Sequence, residues 1–384
     1  MQRSILARTA DGGTGNGAPP HAANSGGWGP RRWRWLALAL VAGALALWGI
    51  EDRWAHGRFQ WAVFGRTFAE LSFEWVAISF TAALATYYVR ALRWAVMLEP
   101  LKPKASVWGL FKATAIGFTA IVLLGRPGEF VRPYLISLRE RVPLSSQFAA
   151  WFLERVCDLL AMLLLFGFAL SQIRTSRASL GPAFRWVLET GGYAVAALVL
   201  VCLVILVMLG RYPALMRKRL VHALAILPNR YQQRIERSIG AFMDGTSAMT
   251  TRSSALRLSF YTLAEWALIT ICIVSLFNAH PATSSFRLLD ALIFMGFVAF
   301  GSVLQIPGVG GGFQIVSVVV LTQLYGLPVE IATGLAVMLW IITFVGVIPL
   351  GILLAFHEGI NWRKLRDLER RAISAGSTLG DPVP

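Results

Sequence analysis

Two short runs concentrate the residue types that do polar chemistry. The first is Gly125-Arg126-Pro127-Gly128-Glu129-Phe130-Val131-Arg132; the second is Glu154-Arg155, followed three positions on by Asp158. Their six formal charges sum to zero. On a helix Glu154 and Asp158 share a face, and Glu129 precedes Arg132 by three positions. Two guanidiniums beside a Gly-rich break suit a phosphate group, because Arg forks match its oxygens and open backbone N–H groups assist. The same set also suits a buried ion network tying one element to its neighbour, and both readings hold together. Acid–base or metal chemistry on Glu154 and Asp158 would need a nucleophile or further ligands. All five His (His21, His56, His222, His280, His357) fall in tails or loops, so neither a Ser-His dyad nor a His-Glu metal helix assembles from the apolar spans. The expectation is a chain that is not an enzyme, with no metal and no cofactor.

A second Gly-rich run, Pro307-Gly308-Val309-Gly310-Gly311-Gly312-Phe313-Gln314, allows a tight turn and close backbone approach. Gln314 reads as a partner for the backbone of that turn. Glu265 lies near the middle of an apolar span and is kept as a cavity candidate. Arg90 and Arg93, at the end of theirs, read as snorkelling side chains, and Asp290 and Glu330 as acidic residues at helix starts.

The elements that hold these runs are apolar. Of 384 residues 56% are hydrophobic and only 15% charged, yet Lys+Arg outnumber Asp+Glu by 36 to 20, for a net charge of +16. Mean hydropathy is +0.60. A nucleic-acid binder of this charge would be polar throughout, so no nucleic-acid partner is expected and the composition predicts an all-α integral membrane protein. Cys157, Cys202 and Cys272 lie in apolar runs and imply no disulfide framework. Residues 1–33 form a Gly/Ala/Pro-rich tail expected to be disordered. A membrane domain follows over 34–356, with full spans near 36–50, 73–92, 147–170, 188–209, 256–277 and 330–356. The tail 357–384 comes last.

Residues 107–124 and 288–306 instead lead into the two Gly/Pro breaks, which are tolerable at membrane depth only against protein or a wet cavity. They are expected to form two re-entrant hairpins. Three charges within 154–158, at about 2.5 to 3.5 kcal/mol each when unpaired, would cost roughly 8 to 10 kcal/mol, so they must be paired or wet. The basic clusters Arg31 to Arg34 and Arg217-Lys218-Arg219, with Arg363, Lys364 and Arg366, put both termini on the cytoplasmic side of a plasma (inner) membrane. The basic segment 211–255 reads as an amphipathic helix on anionic lipid. Units 73–170 and 256–356 then run in opposite senses, each with a hairpin between two spans, and Gly128 and Gly312 precede Pro143 and Pro328 at nearly equal offsets. That is an inverted repeat, a recurrent transporter design.

The paired motifs Gly125 to Arg132 and Leu153 to Asp158, with Pro307 to Gln314, resemble the signature of the lysylphosphatidylglycerol synthase transmembrane (flippase-like) family. Its members include the membrane half of the bacterial multiple peptide resistance factor and proteins tied to hopanoid export. The resemblance spans roughly 36–356 and implies lipid movement between leaflets. It places the family's first motif on Arg126, Gly128, Glu129 and Arg132, and the next on Glu154, Arg155 and Asp158. The glycine motif ends in Gln314 where the family commonly has Glu. No soluble aminoacyl-transferase domain follows residue 356, so lipid aminoacylation is not expected.

The expected function is a flippase for a phosphate-bearing or polyprenyl/hopanoid-type lipid. Arg126 and Arg132 would engage phosphate, with Glu129, Glu154 and Asp158 orienting them or receiving a cationic headgroup. The alternatives are a non-transporting membrane protein that binds lipid or an envelope-synthesis enzyme, and an intramembrane lipid-modifying enzyme.

Overall fold

The computed structural model describes residues 59–176, 182–224, 229–246, 251–301, 305–306 and 310–358. The N-terminal tail, the expected span at 36–50, Pro307 and nearly all of the C-terminal tail lie outside the described residues. Those from Gln60 onward are almost entirely helical: α1 (Trp61–Ala69), α2 (Phe73–Leu98), α3 (Val107–Leu124), a 3-10 turn (Arg126–Phe130), α4 (Val131–Glu140), α5 (Leu144–Ser176), α6 (Pro182–Arg211), α7 (Pro213–Leu224), α8 (Asn229–Thr246), α9 (Arg252–Ala279) and α10 (Leu288–Gly301). Then come a two-residue bridge between β1 (Gln305–Ile306) and β2 (Gly310–Gly311), α11 (Gly312–Gln323), α12 (Val329–Trp340), a π turn (Ile341–Val345) and α13 (Val347–His357).

Among the described residues four stretches are long and apolar enough to cross a membrane: α2, α3, α9, and Val329–His357 taken as one. A fifth is added if Val195–Arg211 and Pro213–Arg219, bent by 105°, count as a single span. At 1.5 Å per residue α2 and α9 are each about 40 Å long, more than the roughly 30 Å hydrocarbon core. Large apolar side chains on these helices face outward, among them Phe260, Leu263, Leu353 and Phe356, each more than 60% exposed. Water would oppose that arrangement; lipid favours it. The expected spans at 147–170 and 188–209 fall within α5 and α6, the first carrying Glu154, Arg155 and Asp158. The basic segment expected as one amphipathic helix is two, α7 and α8. Gly245 of α8 lies close against Ser146 of α5, and Ile239 and Met243 are buried. α1 was not anticipated at all; Gln60 N–H donates to Glu330 Oε1 at 3.1 Å, and Thr67 packs on Gly334 of α12.

Both Gly/Pro breaks fold the chain back on itself. Positive φ at Gly125 (74°) ends α3, and α4 returns antiparallel to it: Arg139 Nη1 donates to the Gly109 carbonyl at 3.2 Å, Arg132 lies against Gly117, and Gly128 against Ala120. The second break does the same. Gln305 pairs with Gly311 and Ile306 with Gly310, while Tyr325 Oη donates to the Asp290 carbonyl at 3.0 Å. Each hairpin ends in a left-handed residue two positions before a proline, Arg141 (φ 55°) before Pro143 and Gly326 (φ 69°) before Pro328. At Gly326 the N–H bonds the Thr322 carbonyl, the αL form of helix closure, and the Leu327 N–H reaches further back to the Leu321 carbonyl. The order long helix, hairpin, long helix therefore occurs twice. Between the two occurrences α2 and α9 pack antiparallel along their length, through Ser72 N–H to the Ala279 carbonyl (2.9 Å), Ser79 Oγ to the Cys272 carbonyl (2.7 Å) and Arg257 to Glu99 (2.6 Å). α13 returns antiparallel to α3, with Gly351 against Thr119 and Ala115, and Glu358 just beyond its end held by Lys112 and, at 2.5 Å, by Arg139.

A Cβ on Gly128 would lie 2.4 Å from the Ala120 carbonyl oxygen, whereas one on Gly65 would meet nothing within 4 Å. Gly128→Ala should therefore lower stability by about 1 to 3 kcal/mol, and Gly65→Ala should be neutral or stabilise by up to about 1 kcal/mol. Thermal unfolding of both variants in detergent checks the contrast. Hydrogen bonds from Arg139 and Lys112 hold the Glu358 carboxyl below an ordinary glutamate's 4.5. A depressed folded pKa gives stability that is present above the unfolded value and lost as pH falls through the folded one. The melting-temperature gap between the natural protein and Glu358→Gln should accordingly be full at pH 7 and shrink on acidification below about 4.5.

Candidate functional site

One face of α2 carries Ser79, Thr86, Arg90 and Arg93, spaced seven, four and three apart, and it turns toward α9 and α5. Arg93 sits at the centre with no exposed side-chain surface. Its Nη2 donates to Glu154 Oε1 at 2.6 Å and to Asp158 Oδ2 at 3.1 Å; its Nη1 reaches Asp158 Oδ1 at 2.5 Å, Glu265 Oε2 at 3.1 Å and Thr262 Oγ1 at 3.4 Å. Arg90 Nη2 lies 2.5 Å from Glu265 Oε1, and Arg90 Nη1 3.7 Å from Glu154 Oε1. From the first hairpin, Arg132 forks onto both oxygens of Glu154, one contact being 3.2 Å. Three arginines thus face three carboxylates on four helices, and the set is neutral.

Aromatic rings frame it. The Arg132 guanidinium lies 4.1 Å from the Trp94 ring centroid and 5.5 Å from that of Phe118, and Arg90 lies 4.8 Å from Phe118. Cation–π contact with desolvated guanidiniums adds about 2 kcal/mol or more per pair. The Trp94 indole is fixed in turn by its N–H to Gln147 Oε1 at 3.0 Å, and Gln147 is fully buried. Trp94 and Gln147 are thus positioning residues that nothing in their spacing announced.

Of the residues singled out in the sequence, Arg132, Glu154, Asp158 and Glu265 come together in this core. Arg155 stands at its edge, 3.8 Å from Glu154 and 42% exposed. Arg126 and Glu129 pair with each other at 3.0 Å on the turn, and Arg126 is 52% exposed. Gly128 is the close-contact residue of that turn, not an open anion cradle. The snorkelling reading of Arg90 and Arg93 is corrected. α2 continues five residues beyond Arg93, and the polar face points inward, so both guanidiniums enter the core instead of climbing out of it. The 7-4-3 spacing of Ser79, Thr86, Arg90 and Arg93 was the available signal. Asp290 and Glu330 do stand in first helical turns.

Beside the ionic core lies a partly open cavity of about 200 Å³ between α2, α9, α10 and α12. Arg90 and Tyr87 line it from α2, Phe118 from the first hairpin, Phe313 from the second, and Trp266 and Phe344 from the remaining walls. Tyr87 Oη donates to the Thr343 carbonyl at 2.8 Å, within the π turn. The buried indole N–H of Trp266 has no hydrogen-bond partner. In the second hairpin Gly310 and Gly311 form the bridge, Gly311 (φ 104°) precedes α11, Gly312 is buried, and Gln314 is partly buried one turn in. Among the described residues no three His, Cys, Asp or Glu are grouped to hold a metal.

Apolar helices long enough to cross, with a neutral ion network enclosed among them, define a multi-pass helical membrane protein. Residues 34–351 match the family model described as the lysylphosphatidylglycerol synthase TM region, and the chain belongs to that family; no soluble synthase domain is matched. No curated protein and no solved structure matches the chain.

Breaking a buried pair by removing one partner costs about 3 to 5 kcal/mol, and Glu154 serves two buried arginines. Glu154→Gln should therefore destabilise by at least that much, whereas Arg126→Gln, removing an exposed i,i+3 pair, should cost under about 1 kcal/mol. Chemical or thermal unfolding in detergent measures both.

Proposed function

We propose that the chain moves a phosphate-bearing lipid, such as a polyprenyl- or hopanoid-type lipid, between the leaflets of a plasma membrane, without making or breaking a covalent bond. One observation carries the reading: a neutral six-membered ion network sits where helices of both halves meet and adjoins an apolar cavity to which each hairpin contributes an aromatic ring. A headgroup crossing hydrocarbon needs polar partners on the way, and such partners are costly to keep in a membrane unless they are used. In this scheme the half-exposed Arg126 and Arg155 receive the phosphate. Arg132, Glu154 and Asp158 hold the turn that presents them, and Glu129 tunes Arg126. The membrane family supports a lipid-related role.

The scheme takes six crossings with both termini cytoplasmic, two re-entrant hairpins and an inverted repeat. The antiparallel packing of α2 on α9 and the repeated helix–hairpin–helix order favour that arrangement.

Translocation of fluorescent lipids in proteoliposomes tests it, across a panel of anionic, aminoacylated and polyprenyl lipids. The expected result is headgroup-dependent movement, reduced tenfold or more in Arg126→Gln and Arg155→Gln at unchanged thermal stability. In Arg132→Gln both movement and stability should be lost. Absence of headgroup-dependent movement across the panel would sink the proposal and leave a lipid- or enzyme-binding membrane protein in its place.

A further inference from the structure

Among the described residues Arg90 is the only charged one on the cavity wall. Its side chain keeps 14% exposure, while Arg93, Glu154 and Glu265 keep none. The three carboxylates of the core do not depend on Arg90 equally. Glu154 retains Arg93 and the forked Arg132 without it, and Asp158 retains both Nη atoms of Arg93. Glu265 would be left with Arg93 Nη1 at 3.1 Å, an atom already 2.5 Å from Asp158 Oδ1 and 3.4 Å from Thr262 Oγ1.

The charged groups facing Glu265 are Arg90 and Arg93 on α2 and Glu154 and Asp158 on α5, with Arg132 behind Glu154. α10 and α12 add only apolar residues to the cavity wall. An anion taking Arg90 would therefore leave the set one negative charge in excess, with the excess falling on Glu265. A buried carboxylate deprived of its cation is too costly to keep charged and neutralises by binding a proton.

We propose that the cavity is a binding site for an amphiphilic anion, one acidic headgroup on an apolar chain, in which the headgroup pairs with Arg90 and Glu265 takes up one proton from solvent as the ligand binds. The apolar and aromatic lining selects the chain, and Arg90 selects the charge. The proposal rests on the reading of the protein as lipid-handling, yet it concerns binding and not movement. Loss of translocation with binding intact would therefore count against that reading and leave this one standing.

The test is isothermal titration calorimetry of the purified full chain in neutral detergent at pH 7, in buffers of different ionisation enthalpy. The probe is decanesulfonate, whose headgroup neither gives nor takes a proton near neutral pH, so any proton counted belongs to the protein. Expected are uptake of about one proton per ligand bound and tighter binding as pH falls, as linkage requires. Decyltrimethylammonium and chain-free methanesulfonate should bind at least tenfold more weakly. Arg90→Gln should weaken binding tenfold or more and Arg90→Lys much less, while Glu265→Gln should bind at least as tightly with no proton taken up. A proton count of zero in the natural protein overturns the role of Glu265. Equal affinity for methanesulfonate overturns the amphiphile, and undiminished binding by folded Arg90→Gln overturns the site. The proton count and the Arg90→Lys and Glu265→Gln measurements decide the matter even if Arg90→Gln fails to fold.

Discussion

The carboxylate of Glu154 is the contact on which the arrangement turns. It is wholly buried on α5 and is gripped by Arg93 from α2 and by Arg132 from the first hairpin, so one acidic group fixes the spacing of three elements. In hydrocarbon each guanidinium would be expensive alone. Shared between them, Glu154, Asp158 and Glu265 bring the formal charge of the core to zero and leave the flat faces of Arg90 and Arg132 to aromatic rings.

Close backbone approach lets the charges meet. Gly117 admits the Arg132 backbone, and Gly128 seats the turn on Ala120. With side chains in either place the first hairpin would stand off from α3, and Arg132 could not keep its fork on Glu154. The second hairpin solves the same problem with a two-residue strand bridge, whose glycines pair backbone with backbone where a helix cannot continue. Among the described residues neither hairpin contributes a charge to the other's site; each lines the shared cavity with an aromatic ring, Phe118 from the first and Phe313 from the second.

How far this was legible from residues alone depended on range. Long apolar runs marked the helices, because lipid imposes a minimum length on them, and the Gly/Pro breaks at 125–128 and 307–312 marked the turns. The charge triad on α5 stood out because it interrupts an apolar run. What escaped was pairing across distance. Arg93 and Glu265 are 172 positions apart in the chain, and nothing local says that they touch. Arg90 and Arg93 were misplaced because their position relative to the helix end suggested an escape to the interface, while the face they occupy, shared with Ser79 and Thr86, pointed inward. Arg126 and Glu129, adjacent in the motif, pair with each other across a three-residue spacing on the tight turn at the edge of the core. α1 and its Gln60–Glu330 contact escaped because nine residues carry too little period to declare themselves.

The π turn at Ile341–Val345 has a consequence for the last long helix. A π turn holds one residue more than the α-helical turn it replaces, so it acts as a phase shifter between α12 and α13. Each residue of an α-helix advances the azimuth by about 100°. Without the extra residue α13 would be rotated by roughly that angle, swinging Gly351 out of its seat against Thr119 and Ala115 and carrying Glu358 away from Lys112 and Arg139. The carbonyl of Thr343, which takes the Tyr87 hydroxyl, lies inside this same turn. A single inserted residue thus sets the rotational phase by which the C-terminal half of the chain reads the N-terminal hairpin.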